Sequence, residues 1–217
     1  MAESEVAIVN SALVKIGEGP ITSLTQDTEA ARAANRQYSI KRDELIRSYR
    51  WNFAIKRADL ALDTETPAFG FDHQFRLPTD CLRVIGVFDE RERLVNYTGT
   101  RLEWKMEIAN INGENEPRLL ATETVTKIFY LARIENTSLF DSQFSEALAL
   151  RLALDLGYAL STGTRRNAEL RQEFTEVIRQ AKLSDAIEGK PEVIEASDWI
   201  DSRFEDPFIY SRIGPIN

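Results

Sequence analysis

Apolar residues recur at helical spacing in two blocks that flank a long stretch of alternation. Val6, Val9, Leu13 and Ile16 follow Ser4 at three-four-three spacing and predict a short amphipathic helix capped by that serine. Gly17, Gly19 and Pro20 end it, since glycine tolerates left-handed backbone and proline cannot continue the ladder. A longer helix is predicted from about Thr28 to Tyr49 with Asp27 as cap. Ala31, Ala34, Tyr38, Leu45 and Tyr49 share one side of it, with Ile46 beside them, and small residues between Glu29 and Ala34 permit close helix approach. From Phe71 to about Ile134 the period becomes alternating. Leu82, Val84 and Val87, then Leu102, Trp104, Met106 and Ile108, then Val125, Phe129 and Leu131 suit half-buried strands. Asn112-Gly113 is a hairpin signal because a type I′ turn needs positive φ at both positions, and Leu77-Pro78-Thr79-Asp80 reads as a strand ending in a turn. This predicts a small antiparallel sheet of about five strands.

Helical pattern returns at Asp141. Phe144, Leu148, Leu152 and Leu156 repeat every four residues, with Ala147, Leu150 and Leu154 widening the face, so this helix is predicted to be central and to end at Gly163. A last helix follows a Thr164 cap. Its apolar side carries Leu170, Phe174, Val177, Ile178 and Ala181, and Glu169, Arg171, Glu173, Arg179 and Lys182 lie opposite. Residues 191–217 sustain no stripe and carry three prolines, six acids, two arginines and the spaced aromatics Trp199, Phe204, Phe208 and Tyr210. The expected fold class is α+β, mainly helical: a four-helix core with an inserted small antiparallel β domain and an extended C-terminal arm. The corresponding divisions are N-terminal core helices over 1–66, the β insertion over 67–138, C-terminal core helices over 139–190 and the tail over 191–217.

Composition narrows the function classes. The 217 residues are 43% hydrophobic and 29% charged, ordinary globular usage. One cysteine, Cys81, and one histidine, His73, remove a disulfide framework, a Cys/His zinc site and a haem attachment motif. Nothing approaches the roughly 18 apolar residues of a membrane span, and Met1 to Glu5 lacks the basic start of a signal peptide, so a reducing compartment and no membrane partner are expected. The 27 basic and 35 acidic side chains give a net charge of −8, the wrong sign for a protein that grips nucleic acid. An acidic chain can still surround DNA without gripping it, as the wall of a channel must.

Candidate chemistry is sparse. Gly17-x-Gly19-Pro20 lacks the Gly-Lys-Ser/Thr ending of a phosphate loop and follows a helix. His73 reads as a surface or satisfied strand histidine and Cys81 as a structural thiol, with no third group to orient a Cys-His pair. Glu146 and Asp155 lie on the leucine-rich helix, where Asp155 can pair with Arg151 one turn earlier. Such acid pairs leave a glycosidase mechanism as an alternative. No metal or cofactor site is visible. Residues 32–57 hold eight basic side chains, among them Arg36, Arg42, Arg47 and Arg50, against Asp43 and Glu44, a local balance of +6. That stretch is a solvated helix face, a patch for an acidic protein partner, or a contact for DNA phosphates. The tail is a disordered acidic end or an anchor that orders on a partner, and its spaced aromatics favour the anchor.

Arg42-Asp43-Glu44-Leu45-Ile46-Arg47-Ser48-Tyr49-Arg50-Trp51-Asn52-Phe53-Ala54 resembles the helix end of the head-to-tail adaptor proteins of short-tailed bacteriophages, the tail tubular protein A-like family. Leu77 to Val84 resembles that family's first β segment. Phe140-Asp141 with Glu146 to Ala153 resembles its later core helix, and Ser197-Asp198-Trp199 the start of its tail. Between Phe88 and Thr137 nothing matches. The resemblance implies a structural, non-enzymatic virion protein without a cofactor. It would form a ring of about twelve subunits under the portal protein ring at the head-tail junction. That ring would extend the DNA channel after packaging and dock the tail nozzle or a tail fibre protein, with the genome passing through the lumen without sequence-specific binding. On this reading Trp199, Phe204, Phe208 and Tyr210 anchor the arm to the portal or a neighbouring subunit, and Arg36, Arg42, Arg47 and Arg50 face an acidic surface. The competing classes are a virion-associated, carboxylate-dependent peptidoglycan hydrolase and a non-viral bacterial adaptor module.

Overall fold

A computed structural model describes residues 4–89, 103–111, 114–122, 125–160 and 164–188. Among them the chain forms four α-helices and seven β-strands in two antiparallel sheets, an α+β fold. Helix α1, Glu5–Ile16, starts where the Ser4 side chain accepts the Ala7 N–H at 3.1 Å and stops at Gly17, whose φ of 82° is left-handed. Its buried stripe is Ile8, Val9, Ala12, Leu13 and Ile16, while Val6 is only partly buried. Helix α2, Glu29–Ser48, is capped one residue later than the sequence suggests: the Thr28 hydroxyl accepts the Ala31 N–H at 3.3 Å, and Asp27 pairs with Arg32 instead. Between them the Asn10 amide clamps Ile21, accepting its N–H at 2.8 Å and donating to its carbonyl at 2.9 Å.

Helix α3, Ser142–Ala159, is capped by Asp141, which accepts the Gln143 N–H at 2.8 Å. Phe144, Leu148, Leu152 and Leu156 are fully buried, and so are Leu150 and Ala153 on its other sides. A helix apolar all round must be covered all round, and α1, α2 and α4 each pack on α3. Helix α4, Thr164–Glu188, buries Leu170 and Ala181 and half-buries Phe174, Val177 and Ile178. Gly163 and the side chain of Thr164 lie outside the described residues.

The strands differ from expectation in number and in starting point. β1, Ile55–Asp59, and β2, Ala61–Leu62, precede the alternating stretch, and the strands divide between two sheets. The first sheet has the order β1-β7-β4, with β4 at Cys81–Asp89 and β7 at Val125–Ala132. The second has the order β2-β3-β6-β5, with β3 at His73–Arg76, β5 at Trp104–Ile111 and β6 at Glu114–Ala121. β1 escapes a periodicity reading because it lies at a sheet edge and its Lys56-Arg57 pair is exposed, leaving no two-residue repeat. The Leu77–Asp80 turn is present, with the Cys81 N–H donating to the Pro78 carbonyl at 3.0 Å. Register pairs Ile111 with Glu114, so two residues join β5 to β6, although Asn112-Gly113 and Leu102 themselves lie outside the described residues. β5 is more exposed than its alternation predicts. Trp104 is half-buried, but Met106 and Ile108 remain 38% and 74% exposed.

The segment Tyr49–Phe53 joins helices to sheets. Trp51, 1% exposed, donates its indole N–H to the Leu45 carbonyl at 3.0 Å and meets Tyr49 and Phe144 edge-on at 5.0 and 5.2 Å between ring centroids. Phe53 stands 4.8 Å from Phe144 and 5.7 Å from Phe140. β1 follows directly, so the same aromatic cluster that covers the start of α3 aims the first strand.

Gly86 shows how closely β4 and β7 fit. The register shifts between Val84 and Gly86, and the Phe129 ring occupies the place where a side chain at 86 would stand, so a Cβ there would run into Phe129 Cε1. Gly86→Ala is expected to destabilise the protein by about 1–3 kcal/mol in urea denaturation, the range for overpacking. Phe129→Leu should recover part of that loss in the double variant, which additivity would not give.

Candidate interaction surface

Chemistry-bearing side chains are dispersed. His73 opens β3 in the second sheet, half-buried and edge-on to Phe75, while Cys81 opens β4 in the first. The Cys81 thiol is half-buried, and burial, with the charge of Asp80, pushes its pKa up to about 11. A thiol so placed stays protonated at neutral pH and is a poor nucleophile. Among the described residues no three His, Cys, Asp or Glu side chains cluster as metal ligands, and no helix is long and apolar enough to cross a membrane.

The acids of α3 are tied up. Glu146 meets Lys15 at 2.6 Å, and Asp155 meets Lys41 at 3.1 Å and Arg151 at 3.5 Å. Lys41 also reaches Glu44 at 2.9 Å, and Arg151 reaches Glu44 at 3.2 Å, so two cations and two carboxylates from α2 and α3 alternate. Burial opposes the Lys41 charge, but its hydrogen bonds to Glu44 and Asp155 outweigh that and raise its pKa. In the second sheet Arg118, 1% exposed, holds Asp63 and Glu116 at 2.8 Å each. The Arg118 bond keeps the Asp63 carboxyl below its ordinary pKa.

The arginines singled out on α2 separate into different environments. Arg36 is exposed and makes no ion pair among the described residues. Arg42 is 5% exposed and bound inside the fold, its Nε 2.9 Å from Asp43 and its guanidinium 3.8 Å from Glu135. Arg47 is exposed and donates to the Leu82 carbonyl. Arg50 is exposed with its guanidinium carbon 5.5 Å from the Phe129 ring centroid, and Arg57 sits 5.9 Å from the same centroid. The local +6 of the sequence is therefore partly cancelled by carboxylates arriving from elsewhere, among them Glu135, Asp155 and Asp80, the last 2.8 Å from Lys56. Trp199, Phe204, Phe208 and Tyr210 lie outside the described residues. A second surface feature is a hollow of about 680 Å³ between the 65–71 loop and β5, lined by Pro67, Phe69 and Ile108 among others. Phe69 there is 88% exposed.

The family model described as tail tubular protein matches residues 6–108. Over those residues the chain is similar to tail tubular proteins. No curated protein matches the chain. The tail tubular match runs from α1 through β4 into β5, and so contains the Arg42–Ala54 and Leu77–Val84 segments that carry the sequence resemblance. The segments Phe140–Ala153 and Ser197–Trp199 lie beyond it.

One side chain that sequence reasoning passed over fixes the Arg50 region. Asp185 on α4 is 9% exposed and accepts the Asn52 N–H at 2.9 Å, while its own carbonyl accepts the Asn52 side-chain amide at 2.6 Å. The Tyr49 hydroxyl donates to the Lys182 carbonyl at 3.1 Å. A lone acid on a helix 133 residues away leaves no signal in sequence. Burial raises the Asp185 pKa above the ordinary carboxylate value, the Asn52 bond working against it. The folded state therefore holds that proton more tightly, and this contribution to stability is greatest at low pH and is lost as pH rises through the raised pKa. Asp185→Asn keeps an acceptor and removes the charge. Its melting temperature relative to wild type is expected to improve as pH rises from about 4 to 7, whereas Asp185→Ala should melt lower at every pH.

Proposed function

We propose that the chain is a head-to-tail connector that assembles as a ring of about twelve copies beneath the portal ring. In that position it extends the DNA channel after packaging and presents a docking surface for the tail nozzle or a tail fibre protein. The observation that carries this reading is the tail tubular match over the α2–β1 joint and β4. The longest of the resembling segments, Arg42–Ala54, is also the segment that knits helices to sheets.

The surface supports the reading in two ways. A closed ring needs two different complementary faces on each copy. The exposed apolar side of β5 with Phe69 and the arginine-rich end of α2 are two faces of different character. The net charge of −8 favours a lumen that repels phosphates, so that DNA slides without being gripped. Residues 191–217 act as an arm whose aromatics fill apolar pockets on the portal or a neighbouring subunit.

Light scattering after size exclusion of the chain mixed with its portal ring tests this, with the chain truncated after Lys190 as control. The full chain is expected to add in near-stoichiometric copies and the truncated chain to fail. Binding by both forms would overturn the arm's role, and binding by neither would overturn the connector itself.

A further inference from the structure

β5 ends its sheet, and among the described residues no strand pairs with its outer side. Its register to β6 runs without a shift from Trp104 to Ile111, so no bulge turns this edge away. Ile111 faces Glu114 across a two-residue connection, and such a connection closes on a hydrogen-bonded pair. Hydrogen-bonded pairs alternate along a ladder. Lys105, Glu107 and Ala109 therefore bond β6, while Trp104, Met106 and Ile108 aim their backbone groups outward. Pro117, which has no N–H to give, stands opposite Ile108, as that alternation requires.

The side chains on this edge are self-complementary. On one face Lys105 meets Glu107 at 2.7 Å, the two side chains 63% and 43% exposed. On the other face Leu62, Phe75, Leu119 and Met106 form one register row across the four strands. Phe75 and Leu119 are buried, whereas Leu62 and Met106 at the ends of the row are not. Ile108 beside Met106 is more exposed still. The apolar row thus runs out at β5 with surface left uncovered.

We propose that β5 pairs antiparallel with β5 of a second copy of this chain, about a two-fold axis at Met106. Each Lys105 then stands opposite the partner's Glu107, and each Trp104 opposite the partner's Ile108. The outward backbone groups of Trp104, Met106 and Ile108 make the hydrogen-bonded pairs. Lys105 and Glu107 fall in the closer, non-hydrogen-bonded pairs, where side chains approach most. Moving the axis one residue either way sets Lys105 against the partner's Lys105, or Glu107 against the partner's Glu107, so charge fixes the register. A two-fold pair is closed and has no place within a ring of one sense. It is a state of the free chain that covers the β5 edge, and it does not rest on the connector reading.

Sedimentation equilibrium of the full-length chain, without portal, tests it. The mass is expected to rise from one chain at about 1 µM to two chains at about 500 µM, as suits a small interface. Lys105→Glu alone and Glu107→Lys alone should each weaken the pair at least about fivefold, because each sets like charges opposite one another. Mixing the two variants should restore a dimer with one chain of each, since every charge pair across the axis is again opposite. A misfolded variant would not allow that recovery. A mass of one chain throughout, assembly indifferent to either reversal, or no recovery in the mixture would each overturn the proposal. No portal enters this assay, so its failure leaves the connector reading standing.

Discussion

The burial of Trp51 is the constraint on which the rest of the structure depends. Its indole is closed in by Tyr49 and Phe144 and bonded to the last turns of α2. The direction in which the chain leaves that helix is thereby fixed. Because β1 begins at Ile55, the same packing sets the first strand, and β1 in turn pairs along β7 from Ile55↔Leu131 to Asp59↔Lys127. Phe144 belongs to α3, the helix that α1, α2 and α4 all touch. Asp185 closes the arrangement from α4 by holding Asn52. One short aromatic segment thus couples the helical layer, the first sheet and the point where the chain leaves α4.

Charge follows the same economy. A sequence with 35 acids offers many apparent carboxylate pairs, yet on α3 both candidates are occupied by cations from other helices. Buried partners such as Arg118 and Asp63 act as fixed cross-links between strand and loop, since removing one member would strand a charge away from water. At the periphery lie the exposed arginines beside Phe129, an exposed β5 face, and the hollow under Phe69.

Helices α1 to α3 were legible in the sequence because apolar residues recur at helical spacing after a capping side chain; Ser4 and Asp141 are both found as caps, and the Phe144-to-Leu156 repeat is fully buried. The α2 cap moved by one residue because Asp27 and Thr28 are both competent and only Thr28 meets the Ala31 N–H. Strand number and partition were not legible. A five-residue edge strand with adjacent exposed Lys56 and Arg57 has no periodicity, and pairing between β1 and β7 is set some 70 positions apart. Met106 and Ile108 alternate like core residues but face outward, since alternation reports two unlike faces and not which is covered. The arginines illustrate a further limit of reading along the chain: Arg42 and Arg47 look alike in sequence, yet Glu135 and Asp43 hold one inside while the other remains on the surface.

Native-state hydrogen exchange on Trp51→Phe tests the joint most directly. The variant loses the indole N–H to the Leu45 carbonyl and part of the ring packing, a loss of roughly 1–3 kcal/mol. If the segment couples the layers, the most protected amides of α3 and of β7 will lose the same increment, because both open only when the whole unit opens. A loss confined to α3, with β7 protection unchanged, would contradict the account.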